Sequence, residues 1–88
     1  MPSIPETTDR ERVLALHDAS VGAFEAARIR YEILRNQTES ISLEYVCGRT
    51  DKAQVRSVVE RYLTAGAAFQ EASRRLQLSL ESVRAEPA

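Results

Sequence analysis

The side chains able to do chemistry are few and far apart. One histidine (His17), one cysteine (Cys47) and three tyrosines (Tyr31, Tyr45, Tyr62) stand among 13 acidic and 12 basic residues. A metal site needs several His, Cys or carboxylate ligands at close spacing, and His17 has no such companions beside it. A nucleophilic cysteine needs a neighbouring base or a strongly electropositive setting. Arg49 is near Cys47, but His17 would fall at the far end of any hairpin that turns at Cys47. There is no glycine-rich phosphate loop and no Ser-His-Asp spacing. The carboxylates alternate with arginines, as in Glu25, Arg28, Glu32, Arg35 and Glu39, a pattern that keeps them ionised and solvated. These residues predict no catalytic group, no metal site and no cofactor, and the chain reads as a non-enzyme.

The elements that carry them are clearer. One apolar series runs Val13, His17, Ser20, Phe24, Ala27, Tyr31, Leu34, Thr38, Ile41, Tyr45. A second runs Val55, Val59, Tyr62, Gly66, Phe69, Ser73, Leu76, Leu80, Val83. Both advance in steps of three and four, the spacing of a helix seam that packs along another helix. Between them Cys47-Gly48-Arg49-Thr50 makes the break. Gly48 suits the left-handed residue that ends a helix, and Thr50 or Asp51, with Gln54 three beyond Asp51, can cap the next. Thr8 to Glu11 has capping-box spacing at the start. The pattern predicts a flexible leader over 1–8, helix 1 over about 9–46, a turn at 47–50, helix 2 over about 51–84 and a tail over 85–88. Two helices of matched length joined by a short turn fold back antiparallel.

Folding about Gly48 predicts a register. Ile41 faces Val59, Thr38 faces Tyr62, Leu34 faces Gly66 and Tyr31 faces Phe69. Next come Ala27 with Ser73, Phe24 with Leu76, Ser20 with Leu80 and His17 with Val83. Ala65-Gly66-Ala67-Ala68 predicts the closest approach of the two backbones, or a second contact to another chain. Several aliphatic residues fall off both series: Leu14, Val21, Ala26, Ile29, Ile33 and Leu43 on helix 1, and Val58, Leu63 and Leu78 on helix 2. One seam makes a small core for 88 residues. A linked set of unused aliphatics on a thin hairpin points to a partner.

Composition narrows the classes. A formal net charge of −1 lacks the basic excess of a general nucleic-acid binder. A single cysteine cannot form an internal disulfide, and no apolar run reaches the roughly 20 residues of a membrane span. The start, MPSIPETTDRER, lacks the basic and apolar regions of a secretory signal. A cytoplasmic protein is the expectation.

Two local likenesses add to this reading. Residues 69–84, FQEASRRLQLSLESVR, resemble a helix-turn-helix DNA reader. Glu71, Ala72 and Ser73 would open its first helix, Leu76 and Leu78 would flank the turn, and Val83 would lie buried in the second helix. The turn position usually held by glycine is Gln77, and the second helix would stop almost at once before Pro87. Over residues 20–80, the long first helix, the Gly48-Arg49-Thr50-Asp51 break and the stretch from Val55 to Leu80 around Ala68-Phe69-Gln70 resemble helical-hairpin subunits of flagellar and type III secretion machines. The hook–basal-body rod adaptor and the two-helix co-chaperones of needle subunits are examples. That resemblance implies a structural or chaperone role without catalytic residues.

The sequence thus predicts an all-α antiparallel hairpin, coiled-coil-like, that dimerises into a four-helix bundle. The function expected is an interaction or structural module: an adaptor, assembly or chaperone-like protein. Its partner is a second copy or a different helical protein, and the contacts expected beyond the hairpin's own seam are Ile29, Ile33, Val58 and Leu63. DNA binding through residues 69–84 is the alternative.

Overall fold

A computed structural model describes residues 9–85. The expected leader, with Thr8, and most of the expected tail, residues 86–88, lie outside the described residues. Two helices, α1 (Asp9–Val46) and α2 (Lys52–Ala85), pack against each other, and no strand occurs among the described residues. They run antiparallel: His17, near the start of α1, meets Ser79 near the end of α2, while Tyr31 meets Tyr62.

The turn is built from the residues that the sequence marks for it. Gly48 has φ of 73°, in the left-handed region where a Cβ is strained. The Gly48 N–H donates to the Tyr45 carbonyl at 3.0 Å and the Arg49 N–H to the Glu44 carbonyl at 2.8 Å. This pair of bonds closes a Schellman motif and satisfies two carbonyls that α1 would otherwise leave open. At the start of α2 the Gln54 N–H donates to Asp51 Oδ1 at 2.8 Å, so Asp51 is the N-cap. The Gln54 side chain accepts from the Thr50 hydroxyl instead of reaching back to Asp51, which ties the turn to the first turn of α2.

The seam is wider than the two series suggest. On α2 the buried residues Val58, Ala65 and Ala72, followed by half-buried Ser79, recur every seven residues. They run beside a half-buried row of Val55, Tyr62, Phe69, Leu76 and Val83. Val58, expected to face a partner, is therefore part of the hairpin's own core, only 9% exposed. Leu80, expected on the seam, is exposed, and Ser79 faces α1 in its place. The reason is that the row of Val55, Tyr62, Phe69, Leu76 and Val83 has a neighbouring row on either side, three residues on (Val58, Ala65, Ala72, Ser79) and four residues on (Val59, Gly66, Ser73, Leu80). The seam buries the first of these more deeply along its whole length. Tyr45, also expected on the seam, is exposed one residue before α1 ends.

The register is met at Tyr31, whose ring stacks on Phe69. Further contacts reach the neighbouring level: Phe24 packs on Phe69, one level from its expected partner Leu76, and His17 bonds Ser79, one turn before its expected partner Val83. A ring inserted between four residues of the facing helix touches two levels of it at once. The same applies at Gly66, whose missing Cβ would meet the Tyr31 ring at 3.4 Å. The helix-turn-helix expectation is also corrected. Residues 69–84 lie inside the single unbroken helix α2, because the apolar rows continue through Leu76 to Val83 and nothing there interrupts the backbone ladder.

One seam cannot make a globule. The radius of gyration is 20.1 Å, against about 12 Å for a compact chain of this length. The thinnest dimension is 13 Å, about one helix diameter. Among the described residues only Leu34, Val58, Ala65 and Ala72 are buried.

Candidate functional site

The two edges of the seam differ in kind. Along one, four rings form a zigzag ladder between the helices. Phe24 and Phe69 lie 5.4 Å apart, Phe69 and Tyr31 5.3 Å, and Tyr31 and Tyr62 5.2 Å, between ring centroids. Such ring pairs contribute about 0.5–1.5 kcal/mol beyond the area they bury. The Tyr31 and Tyr62 hydroxyls share a hydrogen bond of 2.9 Å. That bond, with partial burial, raises the Tyr62 phenol above its ordinary value. At the open end, Ser79 can donate its hydroxyl to the Leu76 carbonyl at 2.9 Å, which leaves its oxygen free to accept from His17 Nδ1 at 3.0 Å. His17 is thereby a positioned seam residue with its partner on the opposite helix. No cluster of three or more metal-ligating side chains exists among the described residues.

Charge lies on the outer surfaces. Arg28 pairs with Glu32 at 3.3 Å. Glu71 accepts from Arg74 at 2.9 Å and from Arg75 at 3.1 Å. The Arg74 guanidinium is the main reason the Glu71 carboxyl sits below its usual range, and Glu71 in turn raises Arg74. These are exposed pairs one turn apart on one helix, and they serve solvation more than cohesion.

The other edge of the seam is made of small residues toward the open end, Ser20 and Ala27 on α1 and Ala65, Ala72 and Ser79 on α2, and of Leu34 and Val58 toward the turn. Beyond it the hairpin presents a broad face with three hollows in a line. At the open end Val13, Leu16, Ala19, Ser20 and Ala23 of α1 and Arg75, Leu78, Ser79 and Ser82 of α2 line a groove of about 450 Å³. The next hollow lies against Ala26, Ile29, Arg30, Ile33 and Arg61. The third, toward the turn, shares Gln37 with it and reaches Ile41 and Val58. The α1 residues of this face, Leu16, Ala19, Ala23, Ala26, Arg30, Ile33, Gln37 and Ser40, again step by three and four. That is a second heptad series on α1, rotated away from the first. The apolar positions on this side that the first seam leaves over (Ala26, Ile33) belong to it, but Leu16, Ala19 and Ala23 are found only by testing α1 for a second three-four series.

The four residues expected to contact a partner do not lie together. Ile29 and Ile33 line one hollow, each 51% exposed. Val58 is buried. Leu63 is 64% exposed, but it follows Arg61 by two residues, roughly 200° around α2, and so points away from the hollow that Arg61 lines. Leu16, at 66%, is the large apolar residue most exposed in the groove at the open end.

No helix among the described residues is long and apolar enough to cross a membrane. No family model, no curated protein and no solved structure matches this chain.

Proposed function

We propose that this protein is a non-enzymatic helical interaction module: a small adaptor, assembly or chaperone-like protein of the cytoplasm that works by helix-to-helix docking and associates with itself. One observation carries the reading. The hairpin buries four small or aliphatic residues, while Leu14, Leu16, Ile29, Ile33, Leu43, Leu63, Leu78 and Leu80 remain substantially exposed. Burying a large aliphatic side chain is worth about 1.5–3 kcal/mol, so covering this exposed set would favour association. A four-helix bundle of two hairpins covers such surface with the packing the hairpin already uses. The likeness to hairpin subunits of secretion machines implies a role of the same kind.

Light scattering and sedimentation of the purified chain test this. A defined oligomer is expected, and the double substitution Ile29→Glu with Ile33→Glu should dissociate it while far-UV circular dichroism stays helical. A chain that remains monomeric up to about 100 μM, where an interface of standard size is normally populated, would sink the self-association reading.

A further inference from the structure

We infer that the face beyond the small-residue edge takes an amphipathic helix of a different chain, one with carboxylates on both flanks of its apolar stripe. The inference rests on the reading of this protein as an interaction module and does not require self-association.

The arginines single this face out. Arg28, Arg35, Arg56, Arg74, Arg75 and Arg84 each have a glutamate three or four residues away on their own helix. That spacing makes the two charges neighbours on the helix surface. Arg30 and Arg61 have no acid at any of those positions, and neither joins an ion pair among the described residues. Yet these two come from opposite helices and line the same hollow, with Ile29, Ile33 and Leu34. The groove at the open end adds Arg75, 14 residues from Arg61 and about 21 Å along α2. Glu71 of its own helix shares that arginine. No acid lines either hollow. A chain with 13 acidic and 12 basic residues thus has two adjoining hollows whose lining charge is basic only.

The shape fits a helix. The two hollows follow α1 from Val13 to Gln37, about 36 Å at 1.5 Å per residue. They lie between a row of α1 and a row of α2, where a third helix can pack against both. Apolar residues at three-four spacing on the incoming helix would cover Leu16, Ile29, Ile33 and Leu78. Its flanks then run beside Arg30 on one side and beside Arg61 and Arg75 on the other, as the charged e and g positions of a coiled coil do. A second copy can also cover Ile33. The same face rotated onto itself, however, brings only cations to these cations. An acidic helix satisfies both the aliphatic and the charged residues, so it should displace a second copy from this face.

A displayed library lets the protein choose the charge. Its members are helices of about 25 residues, with aliphatic residues fixed at three-four spacing and each flanking position free to be Glu, Gln or Lys. Panned against the full chain at low salt, it should return Glu over Lys at the flanks by at least about threefold. The tightest selected helix, made as a free peptide, should bind the double variant Arg30→Gln with Arg61→Gln about fivefold more weakly. About 0.5 M salt should weaken its binding to the natural chain to a similar degree. Arg35→Gln, beside Tyr62 at the ring edge, should change binding less than about twofold. A library that returns no helix, or returns Lys as often as Glu, overturns the acidic partner. So does a selected peptide whose binding the double variant leaves unchanged. Sedimentation of the chain alone scores self-association separately: an oligomer that selects no acidic helix keeps that reading and loses this one, and a monomer that selects Glu-flanked helices does the reverse.

Discussion

The two edges of one seam show opposite ways of ending a helix pair. The ring edge is finished within the chain. Phe24, Phe69, Tyr31 and Tyr62 fill the space between the helices, and the two phenols satisfy each other. The alanine edge is open. Ala65 and Ala72 let α1 and α2 close upon each other, but their side chains end there, and the surface beyond falls away into hollows. Large side chains make an intramolecular seam self-sufficient. Small ones leave room that another backbone can use, because only small residues let helices approach closely. The contrast explains why aliphatic residues next to the ring edge, such as Leu63, are scattered, while those beyond the alanine edge line up.

The largest effect should come from breaking the ring ladder. Phe69→Ala removes the ring that joins Phe24 to Tyr31, and should destabilise the hairpin by about 2–3 kcal/mol in urea unfolding followed by circular dichroism. A loss under about 1 kcal/mol would mean that the ladder decorates the seam and does not hold it.

Two adjacent positions sharpen the comparison, since residues 65 and 66 lie on different edges. Ala65 is 3% exposed, so Ala65→Leu has no space to enter and should cost about 1–2 kcal/mol. At Gly66 an added Cβ would meet only the Tyr31 ring, at 3.4 Å, an ordinary contact. Gly66→Ala should therefore gain about 0.5–1 kcal/mol from helix propensity. The closest backbone approach expected within Ala65-Gly66-Ala67-Ala68 would lie at Gly66 if Gly66→Ala proved the more damaging of the two.

The smallest effect is a pH dependence. The folded-state value of Tyr62 lies above its unfolded one, so its share of stability is complete below the unfolded value near 10 and is lost as pH rises through the folded value. Stability measured between about pH 9 and 11 should fall less steeply for Tyr62→Phe than for the natural chain, and the ultraviolet titration of the phenols should lose its highest step. An unchanged alkaline limb would detach the hydroxyl pair from the stability of the ring edge.

Much of the hairpin is legible because its signals are local. Steps of three and four mark helices, Gly48 marks the left-handed residue that closes the Schellman motif, and Asp51 with Gln54 marks the cap of α2. The antiparallel arrangement follows from two long helices and a short link. The contact between Tyr31 and Phe69 is also readable, since it depends on distance from the turn alone. Val58 and Leu80 are not readable in the same way. Their places depend on which of two neighbouring rows of α2 turns toward α1, and small residues such as Ala65 and Ala72 give little hydrophobic signal although they are among the most buried.

The sequence by itself determined two helices, the turn between them and an unused store of aliphatic residues, because each follows from residue type and spacing within one helix. Only the tertiary structure decided which edge of the seam is filled and which is open, since that depends on which rows of two helices meet. It withdrew Val58 from the surface, separated Leu63 from Ile33, and set Leu16, Ala19 and Ala23 beside them as one face. The physical reason is geometric: a helix fixes the angle between its own residues, but the angle at which it meets another helix is fixed by the packing of both.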